Sequence, residues 1–132
     1  LGAIPYAGLP IGVAVSLQMN RPLIFPRKEA KEYGTGKRIE GHFRVGQTVA
    51  VVEDLVTSAG SVLRGIALLK AAGLQVHDVV VLLDRGQGGR KNLEDDGYNL
   101  HSILSLGEML SILEEHDHIT AKQQADVLAM VS

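Results

Sequence analysis

Two adjacent carboxylates, Glu53 and Asp54, close an apolar run and precede a small, hydroxyl-rich turn through Leu55, Val56, Thr57, Ser58, Ala59, Gly60 and Ser61. Carboxylates at a strand's carboxyl end sit where open α/β sheets place their ligands, and there they accept hydrogen bonds from sugar hydroxyls. Thr57, Ser58 and Ser61 add hydroxyl donors. A helix is predicted to start at Ser61, and the N–H groups of a helix's first turn suit a phosphate. Together these residues have the chemistry of a site for a phosphorylated sugar. A second feature lies upstream, where Arg27, Lys28, Lys31, Lys37 and Arg38 outnumber Glu29, Glu32 and Glu40 in one polar stretch. Loops this long in compact domains are commonly lids or disordered, solvated segments. Gly34, Gly36 and Gly41 supply hinges. A basic lid over 26–42 can neutralise phosphate charge and exclude water.

Elements of regular structure must hold these groups. The pattern predicts strands over 1–4, 23–25, 48–53, 76–83 and 100–104. Helices are predicted over 9–19, 61–72, 91–96, 106–115 and 120–131, with Gly73 as a helix stop and Thr120 as an N-cap. The helix over 9–19 is apolar on all sides, which predicts burial against a sheet. Strand and helix alternate, so the expected fold class is α/β, a mostly parallel sheet with helices on both faces. No repeat or low-complexity segment interrupts the chain.

With 132 residues, 45% of them apolar, and 15 glycines, the chain reads as one domain over 1–132. A net charge of −2 and scarce aromatics argue against a nucleic-acid binder. The absence of cysteine removes disulfides and thiolate chemistry, and the default expectation is a cytoplasmic protein. Residues 1–20 carry no charge, but Pro5, Pro10 and three glycines interrupt them, so no membrane span or signal peptide is expected. The five histidines lack zinc-site spacing, and neither a G-x-S-x-G elbow nor a Walker lysine motif is present. The chain opens without Met inside an apolar segment, so an N-terminal part is expected ahead of it.

The stretch 49–61 resembles the phosphoribosyl-pyrophosphate (PRPP) signature of type I phosphoribosyltransferases, although Ala59 stands where the family usually has Gly. Arg27-Lys28-Glu29-Ala30-Lys31-Glu32-Tyr33-Gly34 resembles the catalytic loop of the orotate phosphoribosyltransferases among them. Tyr33 occupies a position that is His in many bacterial members. Ile4-Pro5-Tyr6-Ala7-Gly8-Leu9-Pro10 resembles their pyrophosphate loop, with Ala7 where many bacterial members have Lys. Leu83-Asp84-Arg85-Gly86-Gln87-Gly88-Gly89 resembles the segment whose Arg binds the orotate carboxylate, a task that suits a planar guanidinium. The whole chain, tail included, looks most like the orotate domain of bifunctional uridine-monophosphate synthases.

The resemblance implies a type I phosphoribosyltransferase fold that lacks the N-terminal hood, with an exposed apolar face where that segment packs. It implies transfer of the phosphoribosyl group of PRPP to orotate, releasing pyrophosphate. Lys28, Lys31 and Asp54 are then the catalytic candidates. PRPP would be held by Tyr6, Arg27, Lys28, Lys31, Tyr33, Glu53, Asp54 and residues 55–61, and orotate by Thr57 and Arg85. Mg²⁺ would arrive on PRPP and water, with no direct protein ligand. A homodimer in which the lid reaches the partner's site is implied, and a natural fusion to orotidine-monophosphate decarboxylase is compatible with it. Two alternatives stand beside this reading: a phosphoribosyltransferase for another base, and a truncated, inactive or regulatory protein on the same fold.

Overall fold

The computed structural model describes residues 1–28 and 38–131. Among the described residues six strands and five helices follow one another: β1 (Gly2–Ala3), α1 (Gly8–Met19), β2 (Phe25–Pro26), β3 (Ile39–Glu40), β4 (Thr48–Val56), α2 (Gly60–Ala71), β5 (Gln75–Asp84), α3 (Gly89–Asp95), β6 (Asn99–Ser105), α4 (Leu106–Glu115) and α5 (Ala121–Val131). The main sheet has the order β1-β4-β5-β6, and every pairing in it is parallel. Parallel neighbours need crossovers, and α2 and α3 supply them.

Alternation along β1 sets the two layers. Gly2 lies against Val49 and Leu69 on one face, whereas Ala3 approaches Gly12 of α1 on the other. The main core fills the α2 side, where Val51, Val56, Val79 and Val81 of the sheet meet Val62, Ile66 and Leu69 of α2 and Leu93 of α3. These side chains are almost wholly buried.

Several boundaries differ from the sequence expectation. The strand expected over 48–53 runs on to Val56, because pairing continues through Leu55 with Leu83 and Val56 with Asp84. Glu53 and Asp54 therefore lie within the strand and not at its very end, with Leu55 and Val56 still to follow. α2 begins one residue early, at Gly60. The segment expected to be loop from residue 26 onward is anchored by a two-stranded antiparallel ribbon, Phe25 opposite Glu40 and Pro26 opposite Ile39. Residues 29–37, with Lys31, Tyr33 and most of the expected lid, lie outside the described residues. α1 is not buried as its composition predicts. Only Gly8 and Gly12 are buried, while Val13, Leu17 and Met19 are exposed. Glycine brings one edge of this helix onto β4, and its remaining apolar faces point outward. Leu82 of β5 and Ile103 of β6 are exposed too.

The helix ends follow the predicted chemistry. Gly73, at φ +85°, closes α2. Thr120 accepts the Gln123 N–H at 3.2 Å in front of α5, as an N-cap should. Among the described residues, no helix is long and apolar enough to cross a membrane.

Candidate active site

The carboxyl ends of β1, β4 and β5 converge with the start of α2. Glu53 is only 6% exposed, although it is an acid. Its Oε1 accepts the Asp54 backbone N–H at 3.0 Å. Burial pushes its carboxyl up to about 7. The adjacent Asp54 carboxylate adds to the rise, while N–H bonds from Asp54 and Gly8 oppose it. Gly8 is required beside it, since a Cβ there would stand 2.8 Å from the Val52 carbonyl oxygen and 3.0 Å from Glu53 Oε1. The pyrophosphate-loop candidate at 4–10 is thus packed, through Gly8, directly on Glu53. Its Pro5–Tyr6 peptide bond is cis.

The turn after β4 ends on Ala59, which adopts a left-handed conformation at φ 68°, ψ 8° with its side chain 3% exposed. Glycine is the residue that takes this conformation without steric cost, which accounts physically for the Gly expected at that point. Ala59 caps α2 but offers no side-chain acceptor, and the helix's first turn has no acidic residue. The Leu63 N–H bonds to the Ala59 carbonyl at 2.9 Å. The N–H groups of Gly60, Ser61 and Val62 precede this bond and have no acceptor within the helix. The helix terminus is therefore an open seat for an anion.

Cations surround this end of the sheet. A cavity of about 400 Å³ is lined by Arg27, Lys28, Ser61 and Arg64, with Ile4 and Pro5. A neighbouring one of about 470 Å³ is lined by Tyr6, Leu9, Phe25, Arg27, Lys28 and Glu40. Lys28 Nζ lies 4.3 Å from the centre of the Tyr6 ring, a cation–π pair that joins the lid's first residues to the 4–10 loop. The ribbon fixes Arg27 twice. Its N–H donates to the Arg38 carbonyl at 2.8 Å, and its guanidinium pairs with Glu40. A larger cavity of about 500 Å³, lined by Arg38, His42, Phe43, Leu68 and Ala72, contains none of the acidic-pair or phosphate-turn residues.

Arg85 follows β5, and its backbone N–H donates to the Val56 carbonyl at 3.0 Å, which sets it beside the phosphate turn. With Asp84, Ser105, Leu106, Leu128 and Val131 it lines a smaller cavity of about 240 Å³. The structure thus gathers Tyr6, Arg27, Lys28 and Ser61 around the two neighbouring cavities, and it places Arg85 next to Val56.

Sequence reasoning passed over four residues here. Asp84, 7% exposed, accepts the Gly86 N–H at 2.9 Å and pairs with Arg90 Nε at 3.3 Å. Gly89 packs on Thr57 so tightly that a Cβ would stand 2.4 Å from its carbonyl oxygen. Arg64 lines the cationic cavity, and Asn92 donates to the Ser58 carbonyl at 2.9 Å. An acid buried at the end of an apolar strand is a signal the sequence carries. The reach of Arg64 and Asn92 is not.

Comparison with known proteins agrees with this geometry. Residues 2–104 match the phosphoribosyl transferase domain family. The chain is 45% identical over 123 residues to the bifunctional enzyme PyrF/PyrE of Nostoc sp., covering 93% of this chain and 26% of that enzyme. The structure of Leishmania donovani UMP synthase superposes with a TM-score of 0.88 at 39% identity, covering 98% of this chain and 28% of that one. The orotate phosphoribosyltransferase of Mycobacterium tuberculosis in complex with PRPP superposes at a TM-score of 0.69 and 28% identity, over 81% of this chain and 62% of that one. The chain spans about a quarter of the length of the bifunctional relatives it matches. On the family match, the parallel sheet and the phosphate turn together, the chain belongs to the phosphoribosyl transferase domain family.

Proposed function

We propose that this chain transfers the phosphoribosyl group of PRPP to orotate, giving orotidine 5′-monophosphate and pyrophosphate. The observation that carries the reading is the uncapped start of α2, open to an anion, beside the buried Glu53 with its half-buried neighbour Asp54 and the Arg27–Lys28–Arg64 cavity. The relative solved with PRPP and the fusion relatives support it.

In this reading the N–H groups of 56–61 hold the 5′-phosphate, with the Thr57, Ser58 and Ser61 hydroxyls. Glu53 and Asp54 hold the ribose hydroxyls. Arg27, Lys28 and Lys31, with Tyr6 and Tyr33, face the pyrophosphate. Thr57 and Arg85 orient orotate. N1 of orotate gives up its proton, to solvent or to the departing pyrophosphate, and forms its bond to ribose C1 as the C1–O bond to pyrophosphate breaks. Positioning the two reactants supplies about 7–11 kcal/mol of the barrier reduction in well-oriented systems.

Among the described residues no three acidic, His or Cys side chains cluster as a metal cage. A residue set without such a cage fits Mg²⁺ that would arrive on PRPP and keep several of its waters, with no direct protein ligand. When bound, the ion neutralises charge on the leaving pyrophosphate. The working protein is proposed to be a cytoplasmic homodimer whose lid serves the partner's site.

A base without a carboxylate has no use for Arg85, and this sets orotate apart from other bases. Arg85→Lys removes the planar fork while keeping the charge. It should raise KM for orotate about 10- to 100-fold, the worth of a charge-assisted hydrogen bond, and leave KM for PRPP within about threefold. Equal effects on both substrates would contradict the assignment.

A further inference from the structure

α3 lies between the two halves of the proposed site and is bonded to both. On the base side, the turn that carries Arg85 is held by Asp84, which accepts the Gly86 N–H and pairs with Arg90 of α3. Arg90 also donates to the Leu100 carbonyl at 2.9 Å and to Ser102 Oγ at 3.2 Å, which fixes it against β6. On the phosphate side, Gly89 packs on the Thr57 carbonyl and the Val56 side chain. Asn92 Nδ2 donates to the Ser58 carbonyl across 34 residues of sequence. The Arg85 N–H to Val56 bond closes the circuit. A turn whose carbonyls are held from behind keeps its N–H groups aimed forward, toward the anion seat.

We propose that α3 couples the two substrate subsites and that Asn92 is the positioning residue that closes this link. Through it, order in the phosphate turn is transmitted to the Arg85 turn and back. Asn92 touches neither substrate; it holds the Ser58 carbonyl, and with it the pitch of the phosphate turn. The coupling is reciprocal by linkage: a phosphosugar in its seat tightens orotate by the same factor as orotate tightens the phosphosugar. The inference rests on the orotate reading given above.

The test uses ribose 5-phosphate, which has the phosphate but no leaving group, titrated calorimetrically into the full-length protein with and without saturating orotate. In the wild type, orotate should tighten ribose 5-phosphate about fivefold or more. Asn92→Ala should weaken ribose 5-phosphate alone about 2- to 10-fold, and should bring the coupling factor close to one. Asn92→Gln, which keeps the donor amide, should retain most of the coupling. Asn92 is exposed, so the variants should fold, and an unchanged thermal midpoint checks this. The same coupling factor in wild type and Asn92→Ala would overturn the role of Asn92 alone. A wild type that binds both ligands without coupling would overturn the link through α3. A wild type that binds ribose 5-phosphate but not orotate would overturn the orotate reading, and the inference with it.

Discussion

Glu53→Gln should make the free protein more stable at alkaline pH, though it removes a group of the proposed site. The folded structure holds this carboxyl at about 7 against an ordinary value of 4.5, chiefly because the side chain is buried. That rise corresponds to about 3 kcal/mol in favour of the neutral form. The sign follows from proton counting. Between pH 4.5 and 7 the folded chain keeps a proton on Glu53 and the unfolded chain does not, so stability falls as pH rises through this window. Above it both states are ionised and the loss is complete. Gln keeps the acceptor that receives the Asp54 N–H, and its amide can donate to the Asp54 carboxylate. Urea unfolding followed by circular dichroism from pH 5 to 8.5 measures the effect. At pH 8 the variant should be more stable than wild type by about 3 kcal/mol, and near pH 5 the difference should shrink to about 1 kcal/mol or less. A variant equal to or weaker than wild type at pH 8 would refute the claim that burying this charge is costly. The buried carboxylate would then be a feature that stability does not oppose.

Two further substitutions probe the walls of the site. Ala59→Gly removes a left-handed penalty of about 1 kcal/mol but also removes a buried methyl worth about 0.8 kcal/mol. Thermal or urea unfolding should therefore place it within about 1 kcal/mol of wild type; a loss above about 2 kcal/mol would show that packing dominates. Gly89→Ala drives a methyl to 2.4 Å from the Thr57 carbonyl oxygen and 2.6 Å from Val56, so backbone must move. It should destabilise by about 1–3 kcal/mol and raise KM for PRPP, which urea unfolding and steady-state kinetics will register.

Much of this was legible in the chain. Period and punctuation gave the βα alternation, the stop at Gly73 and the Thr120 cap, because each depends on near neighbours in sequence. The acidic pair and the Thr57–Ser61 turn were legible as chemistry for the same reason. The length of β4 was not, since its last residues are strand only because β5 offers Leu83 and Asp84 as partners. Nor were β3 and its pairing with β2, which joins Phe25 to Glu40 and Pro26 to Ile39 across the polar segment. The exposure of α1 was misjudged, because apolar composition states what could be buried and not what there is to cover it. The bond of Asn92 to the Ser58 carbonyl was invisible, since it joins a short polar helix to a turn 34 residues away in sequence.

The most direct test of the central claim is orotate consumption, followed by ultraviolet absorbance with PRPP and Mg²⁺, for the full-length protein and its Lys28→Ala variant. Turnover of orotate that falls at least about 100-fold in the variant, the scale of one lost electrostatic stabiliser in a transition state, is the predicted result. Absence of orotate turnover in the intact protein, or turnover that Lys28→Ala leaves unchanged, would contradict the account.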